Sequence, residues 1–296
     1  VNEHTMQQGS GVGPEWNRVI VIPPEKERAP FKSGIYDTHI DMFGHPIFKA
    51  IMPSGEPIID VGGLAQELLK DMQLFMSNRS KYLKLKLPHK RGYLMHGDPG
   101  CGKTSMIRLV QRLFVEKFGG TVLHIRHVSC SQFYDEVHKV DPMMPIMFVI
   151  EDLDNYLSSF EPQLLEFLDG AESLDNVILL ATTNYLQNVP DRVRSRPSRI
   201  DRLFAVAKPN TEERQIYLAG LGATGEYLST LVSYSEGMSF AQAKELFIGT
   251  AIFGNSINEV AERLKNLPDE ALMEEDEADE DYPGQGKVAV SPTDLR

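Results

Sequence analysis

The stretch Tyr93–Leu94–Met95–His96–Gly97–Asp98–Pro99–Gly100–Cys101–Gly102–Lys103–Thr104–Ser105 decides how this chain is read. It contains the spacing G-x-x-x-x-G-K-[ST], with an apolar run before it and Met106–Ile107–Arg108–Leu109–Val110 after it. A strand, a glycine turn and a helix start, in that order, gather backbone N–H groups round one point, and the positive end of the helix adds its field. That is a cradle for phosphate. Within it Asp98, Pro99, Gly100, Cys101, Gly102 and Ser105 supply the backbone. Lys103 is suited to the outer phosphates of a nucleotide, and the Thr104 hydroxyl to a Mg²⁺ ion.

Working outward, the chain of 296 residues suits one large domain or two smaller ones, with 42% apolar content. No apolar run approaches the roughly 20 residues of a membrane span. Two cysteines, Cys101 and Cys130, argue against a disulfide scaffold and for a reducing, cytoplasmic setting. The net charge is −12, but nine acidic residues lie between Asp269 and Asp281, so the rest of the chain carries only −3. The acidity marks residues 268–296 as a solvated, disordered tail and says little about what the body binds.

Residues 1–58 read as an arm or small accessory segment, partly disordered, with a strand at Arg18–Ile22. A hairpin is expected where the apolar runs Ile47–Met52 and Pro57–Val61 flank Pro53–Ser54–Gly55. Asp60–Val61–Gly62–Gly63 then introduces a helix, with Leu64, Leu68, Leu69, Met72 and Phe75 at helical spacing. After the phosphate loop, further strands are expected at Thr121–Val128, Ile146–Ile150, Asn176–Asn184 and Leu203–Ala207. His124, His127 and Cys130 resemble a metal set only superficially, since residues three apart on a strand face opposite ways.

The third of these strands ends in Glu151–Asp152–Leu153–Asp154 and the fourth in Asn184. Carboxylates at the end of a buried strand, in a chain with a phosphate loop, are placed to handle Mg²⁺ and the attacking water. Asn184 either orients that water or starts a turn. Asp191–Arg202 carries five arginines, suited to a transferring phosphate or to nucleic acid. From Thr211 the pattern is helical throughout. The fold class is therefore α/β, a three-layer P-loop NTPase domain (59–209) with a five-stranded parallel sheet, followed by a small all-α lid (210–267).

Taken together, these motifs resemble the AAA family of ring-forming ATPases over residues 58–265. Asp60–Val61–Gly62–Gly63 is similar to the family's D-[IV]-G-G beside the purine, Gly97–Thr104 to its Walker A loop and Ile150–Asp154 to its Walker B strand. Ala181–Asn184 resembles sensor 1. Arg196–Pro197–Ser198–Arg199–Ile200–Asp201 resembles the element that bears paired arginine fingers, and Gly237–Ala241, with Ser239, the lid motif near the adenine. Within the family, Arg91–Leu94, Gly97–Ser105 and the order Glu151–Asp152 resemble the branch of the mitochondrial translocase of the Rieske iron–sulfur protein. That branch's membrane anchor finds no counterpart in residues 1–58, so its membrane location is not carried over. Phe133–Tyr134 is the one aromatic pair between the second and third strands, and threading of polypeptide past it is not expected.

The resemblance implies ATP and Mg²⁺ bound between protomers of a homo-oligomeric ring of six or seven copies. Thr104 and Glu151 would hold the metal, Asp152 would polarise water, Asn184 would place it, and Arg196 and Arg199 would come from the neighbouring copy. A competing register makes Asp152 the metal ligand and Asp154 the water partner. The output is chaperone-like remodelling or assembly of a macromolecular partner, with a protein client left unspecified. The alternative is a nucleic-acid-linked ATPase, a loader or a replication or transposition helper.

Overall fold

A computed structural model describes residues 19–21, 31–52, 58–61, 63–126, 130–169, 174–196 and 198–266. Strands β4 (Lys90–His96), β5 (Thr121–His124), β6 (Ile146–Ile150), β7 (Val177–Thr183) and β8 (Arg202–Ala205) arise from the apolar runs around and after the phosphate loop. Three more come from the N-terminal region: β1 (Val19–Val21), β2 (Gly34–Ile40) and β3 (Pro46–Ala50). All eight form one sheet in the order β1–β3–β2–β5–β6–β7–β4–β8. The expectation of five strands is therefore corrected. From β2 to β8 the pairings are parallel, while β3 runs antiparallel to both β2 and β1.

The expected hairpin is displaced as well. Its two strands are β2 and β3, and residues 58–61 form no strand. The turn forms at Asp41, whose Oδ1 accepts from the N–H groups of Phe43 and His45, each at 2.8 Å. An aspartate that bonds its own downstream backbone builds such a turn as well as Pro–Ser–Gly does. The Pro53–Ser54–Gly55 turn, Gly62, His127, Pro197 and the tail lie outside the described residues. The hairpin is no detached arm, because Phe48 is fully buried and meets Phe133 edge-on at 5.3 Å. That contact, with Tyr134 7% exposed, puts the Phe133–Tyr134 pair inside the core rather than at a pore.

Helices cover both faces of the sheet, so β6 and β7 are buried along their whole length. On one face lie α4 (Cys130–Val140) and α5 (Leu153–Asp169), where Phe167 meets Phe148 edge-on at 5.1 Å. On the other lie α1 (Leu64–Ser77) and α3 (Lys103–Phe118), which bury Leu68, Met72, Phe75, Ile107 and Phe114. A short α2 (Arg79–Lys84) continues α1, and α6 (Asp191–Arg194) precedes β8. Beyond β8 come α7 (Thr211–Gly220), α8 (Gly225–Tyr234), α9 (Phe240–Ala251) and α10 (Ile257–Lys265). These four share a separate cluster that includes Leu218, Leu231, Leu246 and Val260. Among the described residues no helix is long and apolar enough to cross a membrane.

One close approach fixes the arginine-rich segment to the sheet. Gly92 N–H donates to Asp201 Oδ2 at 2.8 Å, and Asp201 N–H donates back to the Gly92 carbonyl at 2.8 Å. A Cβ on Gly92 would lie 1.8 Å from the Arg199 carbonyl oxygen, so only glycine lets the two backbones meet. Gly92→Ala is expected to lower unfolding stability by about 1–3 kcal/mol, as overpacking does. Urea denaturation measures this, and a loss below about 0.5 kcal/mol would contradict the close approach.

Candidate nucleotide-binding site

The parallel register brings the loop and the acidic run to one edge. His96 pairs with Thr183 and Ile150 with Ala181, so β4, β6 and β7 end almost level. Gly97 leaves the sheet there, and α3 begins at Lys103 after Gly102, which has left-handed backbone (φ 98°). A cavity of about 670 Å³ opens at this edge. Its polar end is lined by Pro99–Ser105, Glu151, Asp152 and Asn184, and its apolar end includes Ile58, Ile59, Val61, Leu64 and Leu109. Volume and lining suit a nucleotide-sized ligand with one charged end.

At the polar end Lys103 is largely buried, and its Nζ donates to the carbonyls of Gly97 (2.5 Å) and Asp98 (2.9 Å). Burial lowers the Lys103 pKa, and the charges of Cys101, Asp152 and Asp98 oppose that shift. Asp98 takes part through its carbonyl and does not line the cavity. Thr104 Oγ1 donates to Glu151 Oε2 at 2.9 Å, joining the helix start to the end of β6. A hydroxyl and a carboxylate in contact form an all-oxygen donor set, the kind Mg²⁺ takes. Asp152 sits beside them with left-handed backbone (φ 51°), a conformation Asp and Asn tolerate better than other side chains with a Cβ. Asp154 is engaged elsewhere, accepting from Thr183 Oγ1 at 2.6 Å. Glu151, not Asp152, is thus the acid against Thr104.

Asp60 lines the cavity. Cys101 lines it too, with its side chain sunk into the core on the α1–α3 face. Ser239 does not line the cavity. It caps α9, its Oγ accepting from Gln242 N–H at 3.3 Å while Gln242 Oε1 accepts from Ser239 N–H at 2.9 Å. The residues after it do reach the site. Ala241 N–H donates to the Gly100 carbonyl at 3.2 Å, and a Cβ on Gly100 would lie 2.8 Å from Ala241 Cβ.

The two expected arginine fingers part company. The Arg196 side chain is 64% exposed and reaches Asp169 Oδ2 at 3.4 Å. Arg199 is 5% exposed, donating through Nε to Asp169 Oδ1 at 2.9 Å and also bonding Asp169 Oδ2 and the Arg192 carbonyl. Neither lines this chain's own cavity. Arg199, expected as a finger, is buried here as a tie to Asp169. Sequence reading missed Lys208, Glu213, Tyr217 and Lys244, which also line the cavity. Tyr217 meets Phe240 at 4.8 Å, and only its spacing of four from Leu221, also in the lining, could have hinted at it.

Residues 93–208 match the model of the ATPase family associated with various cellular activities (AAA). The match spans the glycine loop, the acidic strand end and the arginine-rich segment. Similar proteins include a proteasome-activating nucleotidase of Sulfurisphaera tokodaii, 28% identical over 257 residues, covering 77% of this chain and 61% of the relative. A 26S proteasome regulatory subunit 10B homolog A of Arabidopsis thaliana is 25% identical, covering 65% of this chain and 55% of its own. An AAA ATPase forming ring-shaped complexes from Bifidobacterium dentium is 26% identical over 53% of this chain and 35% of its own length. The chain thus spans between about a third and three fifths of these relatives. They correct the branch expectation, since they are a proteasome-activating nucleotidase, a proteasome regulatory subunit and a ring-forming AAA ATPase, and not a Rieske-protein translocase.

Asp152 gives a test of the site's electrostatics. Burial, with Asp154 and Glu151 nearby, raises its pKa above the ordinary 3.8, and Lys103 only partly offsets this. The fold therefore holds the proton more tightly than the unfolded chain, and stability falls as pH rises through that window. Asp152→Asn removes the penalty and suits the same backbone. The variant is expected to melt above the parent at pH 7, with the gain vanishing as pH drops below about 3.8. Thermal melts across pH measure it. A variant that melts lower at pH 7 would contradict the raised pKa.

Proposed function

We propose that this chain is an ATP hydrolase of the AAA type that works in a homo-oligomeric ring to remodel or assemble a macromolecular partner, in the manner of a chaperone. The contact of Thr104 with Glu151 at the mouth of the glycine loop carries this reading, because it joins a phosphate cradle to an acidic strand end. Lys103 and the backbone of Gly100–Thr104 bind the phosphates, while the apolar end between Ile59 and Tyr217 takes the base. Thr104 and Glu151 would hold Mg²⁺, which neutralises phosphate charge. Asp152 accepts a proton from water and Asn184 orients it, so positioning and charge carry the reaction.

Completion in trans falls to Arg196, the exposed member of the pair, with Arg199 holding the segment on Asp169. The relatives, among them a nucleotidase that activates a proteasome and an ATPase forming rings, favour a ring and a protein partner. The nucleic-acid alternative is weakened by the arginines themselves. Arg192 is held by Glu161, Arg194 by Asp191, Arg199 by Asp169, and Arg202 by Asp71 and Glu67. Paired in this way, they offer phosphates little uncompensated charge.

Specific ATPase activity is expected to rise with protein concentration, and Arg196→Ala protomers mixed with parent should depress it more than in proportion. Full activity in dilute monomer would overturn the trans model. Lys103→Ala should abolish binding of a fluorescent ATP analogue, whereas Asp152→Asn should bind ATP without turning it over.

A further inference from the structure

Asp154 belongs to the acidic run yet does not line the nucleotide cavity. Its Oδ1 accepts from Thr183 Oγ1 at 2.6 Å, a short hydroxyl–carboxylate bond. The same Thr183 oxygen accepts from Tyr185 N–H at 3.0 Å. A threonine hydroxyl has one proton, and here it points at Asp154, leaving a lone pair for Tyr185. The order is fixed: Tyr185 N–H to Thr183 Oγ1, and Thr183 O–H to Asp154. Bonds chained in this way polarise one another.

The placement gives the chain its meaning. Thr183 is fully buried at the last position of β7, and Asn184 lies between the two residues that its oxygen ties together. Asp154 stands in the first turn of α5, two residues beyond Asp152, whose carbonyl accepts from Tyr156 N–H at 3.1 Å. We propose that Asp154 and Thr183 form a latch that sets Asn184 against Asp152, and that Asp154 is a positioning residue which takes no part in proton transfer or metal binding. This rests on the ATPase reading of Asp152 and Asn184. Remove the latch acceptor and a buried hydroxyl loses its partner, freeing the turn that carries Asn184. A displacement of about 1 Å in such a group costs on the order of 100-fold in rate.

The test compares Asp154→Asn with Asp154→Ala in the full chain, alongside Thr183→Val and Thr183→Ser. The Asn amide oxygen still accepts the Thr183 proton, but it can neither act as a base nor bind Mg²⁺ as a carboxylate does. Asp154→Asn and Thr183→Ser are expected to keep ATP turnover within about fivefold of the parent. Asp154→Ala and Thr183→Val should each lose about 100-fold in kcat, with ATP affinity changed by less than about threefold and the double variant no worse than either single one. Hydrogen exchange of the Tyr185 amide gives a readout independent of turnover. It should speed up in the Ala and Val variants and stay slow in the Asn and Ser ones.

An Asp154→Asn variant as inactive as Asp154→Ala would overturn the latch, since the carboxylate would then be doing chemistry. If the Ala and Val variants fail to fold, a folded Asp154→Asn that loses about 100-fold in kcat against the parent overturns the latch on its own. Unchanged exchange at Tyr185 in a folded Asp154→Ala would overturn it as well. A parent chain that shows the exchange pattern but no ATP turnover would instead overturn the ATPase reading.

Discussion

The pairing of β4 between β7 and β8 is the constraint on which the rest depends. Strands in parallel register end on the same side of a sheet, and helices that follow them start there. With His96 level with Thr183 and Ala205, whatever follows each strand arrives at one edge: the glycine loop after β4, Asn184 after β7, Val206–Lys208 after β8. The β6 end adds Glu151 and Asp152. No side chain has to travel far, because sheet geometry has already assembled them. The bridge between Thr104 and Glu151 is then a local matter of rotamers between a helix start and a strand end.

Much of this was legible in the chain. The glycine spacing and the unbroken apolar run Ile146–Ile150 each carry a local physical signal, and each element stands where that signal put it. What escaped was nonlocal. The hairpin was expected one strand too late because its turn is built by the Asp41 side chain, and nothing in residues 34–50 says that β2 adds in parallel to β5. Arg199 looks like any exposed arginine until Asp169, thirty residues earlier, is found beside it. Ser239 is the reverse case, since Ser-x-x-Gln before an apolar helix is a capping signature that was there to be read.

The arginine-rich segment illustrates why density of charge is a poor guide to purpose. Asp71 alone receives Arg91, Arg202 and the Tyr93 hydroxyl, and so gathers β4 and β8 onto α1. Burial tends to raise its pKa, but those three hydrogen bonds outweigh that and hold it low. Most of the basic side chains around the sheet edge are thus structural fasteners, and Arg196 is held more loosely than the rest, at 3.4 Å from Asp169.

Finally, α5 is bent. Phe160 has non-helical backbone (φ −126°, ψ 16°), and Pro162 has no N–H to offer the preceding turn. The half before the bend carries Asp154 and follows directly on Asp152. The half after it carries Glu161 and Asp169, which hold Arg192, Arg196 and Arg199. At 1.5 Å per residue the second half is a lever of about 13 Å, so a change of about 5° at the bend moves the Asp169 end by about 1 Å. One pair of torsions therefore sets how the Asp152 end of α5 lies relative to the carboxylates that hold Arg192, Arg196 and Arg199.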